Sequence, residues 1–140
     1  MTVDTLSRSD VVTATVESSV RDLAVTMRDD GVGSVVITDG DEPVGIVTDR
    51  DLTVAVLAEG ADADELDATD VMSDELRTID HDAGFYEATE LMNSHGIRRL
   101  PVVGADGELA GIITADDLSE LLADEHQELT GVLRSQRAPY

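Results

Sequence analysis

The chain repeats itself once, and that repeat limits its possible folds more than any other feature. Residues Thr13 to Leu52 align with Thr78 to Leu118 at a shift of 65, which becomes 66 after one extra residue in a turn. Thr13 meets Thr78, Met27 meets Met92 and Gly31 meets Gly96. Beyond the turn, Gly45-Ile46-Val47-Thr48 meets Gly111-Ile112-Ile113-Thr114, and Asp51-Leu52 meets Asp117-Leu118. Two units of roughly sixty residues are too long and too few for a solenoid. A half of this size is marginal on its own, so the halves are expected to need each other.

Each unit carries the same pattern. A short apolar stretch opens it, Val11-Val12-Thr13-Ala14 in the first and Leu76 to Ile79 in the second. A helix follows, with Val20, Leu23, Ala24 and Met27, or Phe85, Ala88, Thr89 and Met92, at helical spacing on one face. Gly31 and Gly96 are placed to end these helices in a left-handed conformation. The runs Ser34-Val35-Val36-Ile37-Thr38 and Leu100-Pro101-Val102-Val103 read as buried strands. Turns at Asp39-Gly40-Asp41 and Ala105-Asp106-Gly107 lead into third strands, Val44 to Val47 and Leu109 to Ile113. A last helix opens at Thr48 or Thr114, with Leu52, Ala55 and Val56, or Leu118, Leu121 and Leu122, as its apolar positions. The expected fold is α+β: two pseudo-symmetric β-α-β-β-α units packed through their sheets. The expected divisions are a first unit over 3–60, an acidic linker over 61–70, a second unit over 71–125, and a helical extension or tail over 126–140 that frays by Pro139.

Charge narrows the choice of partners. There are 31 acidic residues against nine basic ones, all arginine, for a formal net charge of −22. Nucleic acid and anionic membranes both need a basic face, so neither is expected. With 41% hydrophobic residues in periodic runs, the chain is not expected to be disordered. The composition fits a high-salt cytoplasm of the haloarchaeal kind, where a Debye length of roughly 3 Å screens self-repulsion and carboxylates keep the surface hydrated. No cysteine is present, which removes disulfides and thiol chemistry. No apolar run has the length of a signal peptide or a membrane span, so a cytoplasmic location is expected.

The informative phrases are Gly45-Ile46-Val47-Thr48-Asp49-Arg50-Asp51 and Gly111-Ile112-Ile113-Thr114-Ala115-Asp116-Asp117. Each leaves a buried strand and enters a helix, where free backbone N–H groups and the helix dipole favour an anion. The Asp one turn on can accept two hydrogen bonds from a vicinal diol. Seen once, Thr-x-x-Asp reads as a capping box. Seen twice at equivalent points, each after Gly and two apolar residues, it also reads as a nucleotide grip, with the glycine admitting a second backbone or a ligand ring.

These two phrases, the Gly-x-x-x-Leu-Pro-Val-Val strand of the second unit and Asp70-Val71-Met72-Ser73 resemble CBS domains, and the tandem arrangement over residues 3–125 resembles a Bateman module. The resemblance implies two clefts about a pseudo-twofold axis. Cleft one would use Thr48 for phosphate and Asp51 for ribose, faced by Ser73, Leu76, Ile97, Arg98 and Arg99. There Leu76 and Ile97 would sandwich adenine and the arginines would pair with phosphate. Cleft two would use Thr114 and Asp117, with Ser7, Val12, Val32, Gly33 and Ser34. No basic residue of cleft two matches Arg98 and Arg99, so cleft one is expected to be the better anion site. The implied ligand is AMP, ADP or ATP, with S-adenosylmethionine or NAD as further adenosyl ligands, and with Mg²⁺ only on ligand phosphates. The implied role is a regulatory sensor acting on a partner protein, expected as a homodimer; the alternative is an interaction module with empty clefts.

No enzyme activity is expected. His81, His95 and His126 have no metal-ligand spacing. The pairs Asp49 with Asp51 and Asp116 with Asp117 lack a nucleophile or an apolar pocket to set them apart. Met27 and Met92 are expected in the core, and Asp62, Asp64, Glu65 and Asp67 in solvated linker.

Overall fold

A computed structural model describes residues 1–73 and 75–138. In order it runs α1 (Val3–Leu6), β1 (Thr13–Thr15), α2 (Val20–Asp30), β2 (Ser34–Asp39), β3 (Glu42–Thr48) and α3 (Asp49–Leu52), which continues as a π-helical segment, Thr53–Ala58. Then come α4 (Ala68–Val71), β4 (Ile79–Asp80), α5 (Phe85–His95), β5 (Arg99–Val103), β6 (Leu109–Thr114) and α6 (Ala115–Ser135). The repeat is therefore real at the level of elements. Each half has a three-stranded sheet in the order β1-β2-β3 or β4-β5-β6, with a parallel pair followed by an antiparallel hairpin. Gly31 and Gly96 end α2 and α5 at φ 65° and 62°, as the helix-stop reading requires. Pro139 lies outside the described residues.

Strand alternation sorts the side chains between two faces. Val35, Ile37 and Val47 join Leu23 and Met27 in the core of the first half. Leu100, Val102 and Ile113 join Ala88, Met92 and Leu118 in that of the second. Val36 and its counterpart Pro101 are also fully buried but belong to neither cluster. They lie on the opposite sheet faces, which meet between the halves.

Each core is completed by a segment from outside its own repeat. Val3, fully buried, belongs to the second half's core, and Leu6 packs on it. The amides of Val3 and Asp4 donate to the carbonyls of Ala83 and His81 at 2.7 and 2.9 Å. Conversely Ala68, fully buried, belongs to the first half's core, with Val71 and Met72 against it. The Ala68 amide donates to Ser18 O at 2.9 Å. Residues 3–6 thus pack on the second half's core, although they lie within the span 3–60 expected for the first unit. Part of the expected linker is a helix: Asp67 caps α4, accepting from the Thr69 amide at 3.0 Å, while its own amide donates to Asp70 Oδ2 at 2.9 Å. The Thr69 hydroxyl, with the backbone amides of Thr69 and Asp70, holds the Asp67 carboxyl below its ordinary value. Arg21 bonds Asp64. Asp64 and Asp67 are therefore structural as well as solvated.

The last helices differ most. α6 runs for 21 residues and carries through most of the expected tail. α3 has only four before the backbone widens. There the Thr53 hydroxyl donates to Asp49 O at 2.9 Å, a back-bond that loosens a helix, and β-branched Val54 and Val56 follow. Among the described residues no helix is long and apolar enough to cross a membrane.

Candidate functional site

Both helix entrances form complete capping boxes. Thr48 Oγ1 accepts from the Asp51 amide at 3.2 Å, and Asp51 Oδ2 accepts from the Thr48 amide at 2.8 Å. In the second half the matching distances are 3.1 and 3.2 Å between Thr114 and Asp117. The box occupies one carboxylate oxygen and one lone pair of the hydroxyl. The second carboxylate oxygen, Oδ1, takes no part in either box, and in the second half Arg8 bonds it.

A cavity of about 770 Å³ opens beside Thr114, between the halves. This volume suits a drug-sized or nucleotide-sized ligand. Its walls include Val12, Val32, Gly33 and Ser34 from the first half, with Thr114 and Ile112 from the second. Five residues expected in cleft two thus meet at one cavity. The other two, Ser7 and Asp117, join it through Arg8, which lines the same cavity.

Glycine explains how the N-terminal segment reaches this place. Arg8 and Ile112 exchange backbone hydrogen bonds at 2.9 Å in both directions, an isolated antiparallel bridge on the edge of β6. A Cβ on Gly111 would stand 2.7 Å from the Arg8 carbonyl oxygen and 2.9 Å from Ser7 Oγ. The glycine admits a second backbone, one of the two roles its position allowed. The first half repeats the arrangement with a side chain: a Cβ on Gly45 would stand 2.5 Å from Met72 Sδ.

The expectation that cleft two lacks a basic residue is overturned. Arg8 and Arg99 both line its cavity. Arg8 Nη2 and Nε donate to Asp117 Oδ1 at 2.8 and 3.1 Å. Burial pushes the Asp117 carboxyl up, but hydrogen bonds from Arg8 and Thr114 and the charge of Arg8 outweigh it, leaving the group below the ordinary carboxylate range. Arg99, first residue of β5, shares a sheet face with Pro101 and so points between the halves. A Cβ on Gly33 would lie 3.4 Å from Arg99 Nη2 and from Asp49 Oδ2. The Arg99 guanidinium therefore reaches across to the first half beside Gly33.

The residues expected in cleft one are more dispersed. Arg98 is exposed and bonds Asp116, on the wall of cleft two, at 2.9 Å. Ile97 packs on the second half's core and lines a separate groove between α5 and α6, with Met92, Leu118 and Leu122. Ser73 is exposed and Leu76 is partly buried; Asp74, between them, lies outside the described residues. Arg8 was the missed residue, and the repeat held the signal. The shift of 65 sets Arg8, not Ser7, opposite Ser73. Among the described residues no three His, Asp or Glu gather as a metal site.

Two stacked half-domains, a shared crevice and paired Thr-x-x-Asp helix entrances are the signs of one family. The CBS domain family matches residues 3–58 and 68–134, and the chain belongs to it. The uncharacterized protein MK0525 of Methanopyrus kandleri is 41% identical over 122 residues, covering 86% of this chain and 62% of that protein. The chain therefore spans under two thirds of that relative. The CBS domain protein PAE2072 of Pyrobaculum aerophilum, solved in complex with AMP, superposes with a TM-score of 0.77 at 27% identity, covering 84% of this chain and 89% of that one. The CBS domain pair of MJ0100, solved with 5-methylthioadenosine and S-adenosyl-L-methionine, gives 0.80 at 23% identity, over 89% and 98% of the two chains. At that identity it speaks for the fold alone. Matching relatives come from archaea and bacteria alike, so kinship does not support a haloarchaeal source.

Proposed function

We propose that this chain is a regulatory module that binds an adenosine nucleotide between its two halves and catalyses nothing itself. One observation carries this reading: the 770 Å³ cavity brings apolar walls, a long helix's N-terminus and two arginines to one crevice. Val12, Val32 and Ile112 offer apolar surface to a base. The Thr114 hydroxyl and the first amides of α6 suit an anion. Asp117 suits the ribose diol, and Arg8 and Arg99 suit phosphate. The AMP complex of the P. aerophilum relative supports the same ligand class. Thr48 and Asp51 would form the second site, with Ser73, Leu76 and Arg99 nearby. Mg²⁺ would enter only on ligand phosphates.

Closing ligand between the halves favours one packing over another, and the change would pass to a partner protein. A homodimer fits the apolar side chains left on the outer helices, Leu57 at 78% exposure and Leu122 at 56%. The acidic surface fits a cytoplasm at high salt and argues against nucleic acid. A thermal-shift panel of AMP, ADP, ATP, S-adenosylmethionine and NAD in molar salt tests the proposal. A ligand at a hundred times its Kd stabilises the native state by about 2.7 kcal/mol, so the midpoint must rise for at least one. Silence across the panel favours the alternative, an interaction module with empty clefts.

A further inference from the structure

We propose that Arg8 is a latch on cleft two, which makes that cleft selective for adenosyl ligands bearing an anionic group. The inference rests on the adenosine reading above and adds a rule of selectivity to it. Asp117 Oδ2 is committed to the Thr114 amide. Oδ1 is the oxygen left for a ribose diol, and Arg8 holds it through two hydrogen bonds. The acid is the inner member of the pair, with its side chain 12% exposed against 64% for the guanidinium. Arg8 therefore covers Asp117 from the solvent side.

The latch must yield by moving its side chain, because its backbone is bridged both ways to Ile112 and seated over Gly111. A diol that takes Oδ1 leaves the guanidinium without its acceptor, in a cavity that Arg99 also lines. A phosphate on the same ligand supplies a new bidentate acceptor and offsets two positive charges. Adenosine supplies none. In the first half Ser73 takes the place of Arg8, so no cation must be displaced from Asp51, and cleft one should take charged and uncharged ligands alike.

Calorimetric titration of AMP and adenosine in molar salt tests the latch. Asp51→Asn protein is used so that cleft two reports. We expect adenosine to bind about tenfold more weakly than AMP, the equivalent of one charge-assisted hydrogen bond. Arg8→Ser, which installs the residue of the other half, should strengthen adenosine binding and weaken AMP binding, closing the gap. Arg8→Lys, which keeps the charge without the fork, should fall between. Because the Arg8 side chain is exposed, these variants should fold, and their unfolding midpoints check this. If Arg8→Ser weakens AMP but leaves adenosine unchanged, Arg8 is a phosphate contact and the latch is wrong, while the adenosine reading stands. If neither compound binds the unmodified protein, the adenosine reading falls and the latch with it.

Discussion

The two helix entrances are built on the same pair, a Thr and an Asp three residues apart after a strand, yet they present different chemistry. At Thr48–Asp51 the neighbouring segment brings Met72 and Ser73; at Thr114–Asp117 it brings Ser7 and Arg8. The cap is identical because it is local and needs only its own turn. The surface beside the cap differs because it is borrowed from another segment, the one at Met72 in the first half and the one at Arg8, 109 residues from Asp117, in the second. Duplication fixes where the helix entrance lies, and the borrowed segment decides which side chains stand beside it.

The largest test of this comparison concerns the borrowing itself. Val3→Asp and Ala68→Asp each bury an unpaired charge in the core of the other repeat, and each should cost more than about 3 kcal/mol. Thr5→Asp, exposed on α1, should stay within about 0.5 kcal/mol. Urea unfolding measures all three, and a mild effect at Val3 would break the exchanged-segment picture.

The glycines come next. Gly111→Ala pushes a Cβ against the Arg8 carbonyl, which the bridge to Ile112 holds, and should cost about 1–3 kcal/mol. Gly45→Ala meets mainly the Met72 side chain, which can swing, and should cost below about 1 kcal/mol. Equal costs would mean that the two segments are seated alike. A smaller effect is expected at the acids. Asp117→Asn weakens a cap and breaks the Arg8 pair, for about 1 kcal/mol at neutral pH; Asp51→Asn should cost less, since the amide oxygen still accepts from Thr48.

That difference carries a pH signature. The folded Asp117 carboxyl titrates below its unfolded value. Its contribution is therefore complete above the ordinary carboxylate range and is lost as pH falls through the depressed folded value. The stability gap between the unmodified protein and Asp117→Asn should close in acid, as melting midpoints across a pH series would show. The smallest effect belongs to Arg98→Ala, whose exposed pair with Asp116 should be worth about 0–1 kcal/mol and less in salt.

Reading the chain alone recovered the order of elements in each half, both glycine helix stops and both Thr-x-x-Asp caps. It also grouped Val12, Val32, Gly33, Ser34 and Thr114, which the structure brings to one cavity. It assigned Arg99 to cleft one, though alternation along β5 sets Arg99 on the face of Pro101, looking into the space that both halves share. It left Arg8 out of the expected site residues, although the repeat shift of 65 sets Arg8 opposite Ser73. It counted Asp67 as solvated linker because a cap on a four-residue helix leaves little periodic trace.

What the sequence determined by itself is whatever closes within one turn or one hairpin. A threonine and an aspartate three residues apart cap a helix wherever it lies, a glycine past the last turn ends it, and alternation assigns strand faces. These depend on backbone geometry and near neighbours, so they can be read in order along the chain. Tertiary structure decided which segment completes which core and which cation meets which acid: Val3 beneath the second half, Ala68 beneath the first, Arg8 upon Asp117 across 109 residues. Such contacts follow from how two twisted sheets meet, and no local rule encodes that meeting.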